Sequence, residues 1–125
     1  MKIADKPRDI ATCVAGYLQA GDLEGVVSMF HPDCQIFFPP GAPVSLGLDG
    51  ARAAFKDFIP IKPILKSTVT AEVINGDTAL LQADWSLEDA DGNVVAQGKS
   101  TEVAKKLANG GWGYFIDCPH GPPQL

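Results

Sequence analysis

Thr78-Ala79-Leu80-Leu81-Gln82-Ala83-Asp84-Trp85-Ser86-Leu87 is the stretch on which the fold turns. Ala79, Leu81, Ala83, Trp85 and Leu87 alternate with Thr78, Leu80, Gln82, Asp84 and Ser86, the period of a strand with two unlike faces. The first set is wholly apolar and is expected to meet the core. The second is mixed, the composition of a face that packs on another subunit or stands in solvent, and Asp84 belongs to it. Turn chemistry brackets the stretch. Asn75-Gly76-Asp77 precedes it, Asp89-Ala90-Asp91-Gly92 follows it, and Asn109-Gly110-Gly111 comes later. Gly and Asn tolerate the positive φ that tight hairpins need. These turns separate runs at 66–74, 78–87, 93–107 and 112–118, which predicts an antiparallel meander of three hairpins.

Upstream, the period changes to that of helices. Asp5 and Pro7 start a helix that runs to Ala20, with Ile10, Val14, Tyr17 and Leu18 on its apolar face, Cys13 beside them, and Gly21 ending it. Asp22 caps a second helix in which Leu23, Val26, Val27 and Phe30 fall at i, i+3, i+4, i+7, closed by Pro32. Residues 34–38 read as a strand stopped by Pro39-Pro40-Gly41. Asp49 caps a third helix with Ala51, Ala54, Phe55 and Phe58 at the same spacing, ended by Pro60 and Pro63. Helices gathered ahead of an antiparallel sheet give the α+β class.

Composition bounds the function. The 125 residues make one domain, 1–125, and a chain 46% hydrophobic and 20% charged is globular rather than disordered. Fifteen acidic residues stand against ten Lys and Arg, and Arg8 and Arg52 are the arginines, so no nucleic-acid partner is expected. No run is long and apolar enough to span a bilayer, so no membrane partner is expected, and the charged opening lacks the apolar segment of a leader, which points to the cytoplasm. Cys13, Cys34 and Cys118 form no C-x-x-C pair and read as small buried thiols of a reducing compartment. His31 and His120 do not join them at ligand spacing, so no metal site is expected. The phosphate-binding patterns G-x-G-x-x-G and G-x-x-x-x-G-K-[ST], and the elbow G-x-S-x-G, are absent, and no cofactor is expected.

The segment Leu18-Gln19-Ala20-Gly21-Asp22-Leu23-Glu24-Gly25-Val26-Val27-Ser28-Met29-Phe30, followed by His31-Pro32-Asp33-Cys34, resembles the opening of the ketosteroid isomerase-like branch of the nuclear transport factor 2-like superfamily. Gly98-Lys99-Ser100-Thr101-Glu102-Val103-Ala104-Lys105-Lys106, then Asn109-Gly110-Gly111-Trp112 and Ile116-Asp117-Cys118-Pro119-His120-Gly121, resembles the closing strands of its SnoaL-like members. The resemblance covers nearly the whole chain. It implies a cone of curved antiparallel sheet packed on three N-terminal helices, a cystatin-like roll, with a pocket inside. That scaffold serves isomerases, polyketide cyclases, hydratases, dehydratases and non-catalytic dimer modules. Laid on without gaps, the isomerase tyrosine of the first helix falls at Val14 and the base aspartate of the first strand at Phe38; the second oxyanion donor falls near Thr101 or Glu102. Neither Val nor Phe donates or accepts a proton, so steroid isomerase activity is not expected.

The remaining polar candidates each have two readings. Asp117, near the end of the last run, is either a turn-capping carboxylate or a carboxylate facing the cavity, its pKa raised by apolar surroundings and fit for acid or base work. Glu102 either pairs with Lys105 or Lys66, or stands at an ordinary exposed position, or sits in the pocket near Asp117. Tyr17, one turn after Val14, points its hydroxyl into the cone or satisfies it within the core. Val14, Phe30, Phe38, Phe55, Phe58 and Trp85 fill the cone or line a pocket for a flat apolar ligand. His31 follows a helix end, where its charge suits the dipole. The Pro/Gly-rich tail around His120 frays or folds over the pocket.

Together these residues describe a small-molecule pocket protein similar to SnoaL-like enzymes. It would be a cofactor-free acid–base isomerase, cyclase or hydratase for a small apolar cyclic or carbonyl compound. Asp117 would carry the proton, with Glu102 and Tyr17 assisting, and the outer sheet face would form a homodimer. The alternative is a non-catalytic ligand-binding or dimerisation module.

Overall fold

Gly21 and Asp22 set the geometry of the helical layer. In the computed structural model, which describes residues 2–125, a 3-10 turn at Pro7–Asp9 leads into α1 (Ile10–Ala20), and Gly21 ends it in the left-handed region with φ 67°. Asp22 caps α2 (Leu23–Val27) by accepting the Gly25 N–H at 2.9 Å. Helix α2 is shorter than its apolar spacing predicts. The Ser28 hydroxyl donates to the Gly25 carbonyl at 2.6 Å at its end, and Phe30 already opens strand β1 (Phe30–Ile36), against an expected start at residue 34. The i+7 position is buried, but as a strand residue opposite Tyr114. His31 therefore lies in a strand rather than at a helix end. Its Nδ1 accepts the Asp33 N–H at 3.0 Å, and its ring meets Phe115 edge-on.

A two-residue strand β2 (Ser45–Leu46) interrupts what reads in sequence as loop. It feeds α3 (Gly47–Phe55), whose N-cap is Leu46. Asp49 is thus a first-turn residue bound to Arg52 at 2.8 Å, not the cap. A 3-10 turn at Ile59–Ile61 follows, and Phe58 lies just before it.

The hairpins form where the turns predict them. Strands β3 (Ile64–Asn75), β4 (Thr78–Glu88), β5 (Val94–Lys106) and β6 (Trp112–Cys118) make the meander, and the sheet order is β2-β1-β6-β5-β4-β3. β1 joins its edge by a parallel pairing with β6. Phe30 faces Tyr114 and Gln35 faces Ile116, so β1 makes an excursion at Pro32, where proline's missing N–H removes no ladder bond. In β4, Ala79, Leu81, Ala83 and Leu87 are buried and Leu80 is 46% exposed, which fixes the core face. The helices cover that face, with Ile10, Val14, Leu18, Val26 and Ile36 in the core. Register shifts at Thr70, Val95 and Phe115 bend the strands, and the result is three helices on a curved open α+β sheet.

Candidate functional site

One row of the sheet decides the site. Register pairs Ile36 with Asp117, Asp117 with Glu102, and Glu102 with Leu81. Leu81 and Ile36 are buried on the helix-covered face, so both carboxyls point there too. Opposed cross-strand residues place their Cβ atoms roughly 4.5–5.5 Å apart. Glu102 is 6% exposed and Asp117 8% exposed.

Between this row and the helices lies a cavity of about 100 Å³. Its floor is buried: Val14, Leu18, Phe30, Ile36, Glu102 and Asp117. Its rim is partly or fully accessible: Phe38, Phe58, Leu65, Ser67, Trp85 and Pro119. A water needs roughly 10–15 Å³ of such space, so the cavity has room for several waters or a compact organic molecule. Val14, Phe30, Phe38, Phe55, Phe58 and Trp85 all line it. The rings touch without filling it: Phe30 and Phe55 lie 5.6 Å apart, Phe38 and Phe58 6.2 Å.

Burial governs the ionisation of the polar floor. Desolvation pushes the Glu102 carboxyl up to about 7, offset in part by a hydrogen bond from Ser100. Desolvation, with the Glu102 charge adding to it, pushes Asp117 up to about 8. No cation relieves either among the described residues. Lys66 pairs with Glu88 at 2.8 Å, and Lys105 Nζ lies 4.4 Å from the Phe115 ring centre. The lysine partners expected for Glu102 are thus engaged elsewhere.

Tyr17 does not reach the cavity. Its hydroxyl donates to the Lys2 carbonyl at 2.7 Å, and its ring lies where a Cβ on Gly25 would collide with it. On α1 the cavity side is Ala11, Val14 and Leu18, and Tyr17 faces α2 instead. The phenol in the cavity wall is Tyr114, which the sequence reading passed over. Strict alternation puts Tyr114 and Asp117 on opposite faces. The extra residue Phe115, unmatched between Val103–Ile116 and Ala104–Tyr114, resets the phase and turns both inward. Burial raises the Tyr114 phenol well above its ordinary range, and Glu102 and Asp117 push the same way, so it stays a hydrogen-bond donor. Ser67 and Ser100 complete the polar lining.

Among the described residues, no three His, Cys, Asp or Glu side chains converge as a metal site, and no helix is long and apolar enough to cross a membrane. Cys13, Cys34 and Cys118 are free and buried.

Comparison with known proteins agrees with this architecture. Residues 12–109 match the family model of the SnoaL-like domain. A protein assigned as a calcium/calmodulin-dependent protein kinase type II association domain, from Thiobacillus denitrificans, superposes with a TM-score of 0.74 at 15% identity, over 99% of this chain and 100% of its own. An NTF-2-like protein of unknown function from Shewanella oneidensis gives 0.71 at 17% identity, over 88% and 92%. A protein of unknown function with a cystatin-like fold, from Nostoc punctiforme, gives 0.68 at 17% identity, over 94% and 90%. At these identities the structures establish the fold alone. No curated protein matches the sequence significantly.

Proposed function

The chain belongs to the SnoaL-like domain family, and on that premise we propose that its cavity binds a small apolar molecule carrying a carbonyl group and moves a proton on it without a cofactor. The observation that carries this reading is the pairing of Glu102 with Asp117 at the cavity floor, both buried and both raised. Two adjacent carboxyls in apolar surroundings resist double ionisation, so near neutral pH the pair retains one proton. One member is then a base and the other an acid. The ionised carboxylate takes a proton from a carbon next to the carbonyl. The C–H electron pair becomes the new C=C bond, and the carbonyl oxygen accepts a hydrogen bond from the neutral carboxyl or from Tyr114. The carbonyl π pair moves onto that oxygen as the C=C forms. In a ligand with a double bond β,γ to the carbonyl, return of the proton to the γ carbon re-forms the C=O, shifts the double bond into conjugation and completes an isomerisation. Glu102 ionises first and is the base, and Asp117 carries the retained proton and donates it toward the carbonyl oxygen; Tyr17 drops out because its hydroxyl is bound to Lys2.

The protein works as a homodimer in this proposal. Val73, Leu80, Val103 and Ile116 are register neighbours across four strands on the outer face, with Val73 61% exposed. Three buried thiols without disulfides suit the reducing cytoplasm. A second reading, ligand binding or pairing without turnover, is favoured by the apolar Val14 and Phe38 where the isomerases hold a donor and a base. Hydrogen–deuterium exchange separates the two. Flat carbonyl compounds that raise the melting temperature are incubated with the protein in D2O, and deuterium at carbon is read by mass spectrometry. Wild type should exchange, and Asp117→Asn should slow exchange by roughly 10²–10⁴-fold. Binding without exchange would overturn the catalytic reading and leave the binding one.

A further inference from the structure

The first residues of the C-terminal tail pack on the cavity rim. Pro119 lines the cavity rim, and its carbonyl accepts the Trp85 Nε1–H at 2.8 Å. The next residue lays its ring on the same rim. The His120 imidazole stacks on Phe38 at 5.6 Å with an interplanar angle of 18°, and meets Trp85 edge-on at 5.5 Å. Phe38 and Trp85 both line the cavity, whereas His120 is exposed and covers them from the solvent side. Gly98 makes room for this arrangement. A Cβ there would come within 2.8 Å of His120 Nδ1 and 3.0 Å of the Pro119 carbonyl oxygen, so a side chain at that position would lift the tail.

We propose that His120 is the chain's own occupant of a ring-binding subsite at the cavity rim, and that a flat aromatic or heteroaromatic ring of an incoming ligand takes its place. The imidazole is held there by ring contacts, with Phe38 beneath it and Trp85 at its edge. A ligand ring in the same seat makes the same contacts, so the exchange forfeits little. Pro119 remains tied to Trp85 and keeps the subsite framed. The buried carboxyls lie on the floor behind this rim, which gives the ligand class a second feature: a flat ring at the mouth with its polar end directed inward. The subsite needs the cavity but no proton transfer, so it stands or falls separately from the acid–base reading.

Chemical rescue tests it. His120→Gly empties the seat, and Gly98→Ala displaces the tail while leaving His120 in the chain. The probes are imidazole and indole, with cyclohexanol as the non-planar control. The readout is the indole N–H resonance of Trp85 in proton–nitrogen correlation spectra. His120→Gly should bind imidazole at least tenfold more tightly than wild type and return the Trp85 resonance toward its wild-type position. Gly98→Ala, whose methyl group intrudes on the same seat, should bind neither imidazole nor indole more tightly than wild type, and cyclohexanol should show no gain with either variant. Imidazole binding His120→Gly no better than wild type, or a Trp85 resonance unmoved by that substitution, would overturn the proposal. Should Gly98→Ala fail to fold, the His120→Gly comparison decides alone.

Discussion

Raising the pH from 5 to 8 should destabilise this protein, and the carboxyl pair sets how much. In the folded chain Glu102 titrates near 7 and Asp117 near 8; in the unfolded chain both are ionised by pH 5. Over that window the native state binds more protons than the unfolded state, so stability falls as pH rises. The contribution is fully present below the unfolded values and lost through the folded ones. One extra bound proton is worth about 1.4 kcal/mol per pH unit. Two protons from pH 5 to 7 and one from pH 7 to 8 set a ceiling of about 7 kcal/mol. Water in the cavity and relaxation around it reduce this to on the order of 2–3 kcal/mol. For a domain of this size that lowers Tm by roughly 10 °C. Glu24, held low by the Arg52 hydrogen bond, and Asp89, held low by the Asn93 backbone N–H, act with the opposite sign but below this window. Calorimetry of wild type against the double variant Glu102→Gln, Asp117→Asn isolates the effect. The variant should be nearly flat between pH 5 and 8. A wild-type Tm that holds level or rises, or a variant that falls as steeply, refutes the reasoning.

The two tyrosines separate in function. Tyr17→Phe removes the bond to the Lys2 carbonyl and should cost about 1 kcal/mol of stability, leaving ligand affinity in thermal-shift titrations unchanged. Tyr114→Phe removes a hydroxyl from the cavity wall and should weaken binding of carbonyl ligands by about tenfold or more, with little change for hydrocarbons of the same shape. If the outer face forms the proposed dimer, Leu80→Lys sets a charge into its apolar row and should shift sedimentation toward monomer, lowering the affinity by at least about tenfold; a wild type that sediments as a monomer, or an unchanged profile in the variant, refutes that contact.

How much of this was legible depended on whether the signal was local. The hairpins around Gly76, Gly92 and Gly110 were, because positive φ at a turn is written in one residue, and each of these glycines has it. The capping by Asp22 and the core face of β4 were legible for the same reason. Phe30 was not: i+7 spacing and strand pairing both demand an apolar residue there, and β6, 84 positions away at Tyr114, settles it. Tyr114 itself was hidden by the unmatched Phe115, since alternation carries no mark of an inserted residue. Tyr17 fell the other way. Helical periodicity placed it on an apolar face, but that face is wide enough to serve both the cavity and α2.

A protonatable carboxyl pair at the floor of an apolar cavity is the centre of this site, and carboxyl carbon-13 NMR of Asp117 and Glu102 across pH 3 to 10 tests it most directly. The pair should titrate in two coupled steps near 7 and 8, with one proton retained between them. Both carboxyls fully ionised by pH 5 would contradict it.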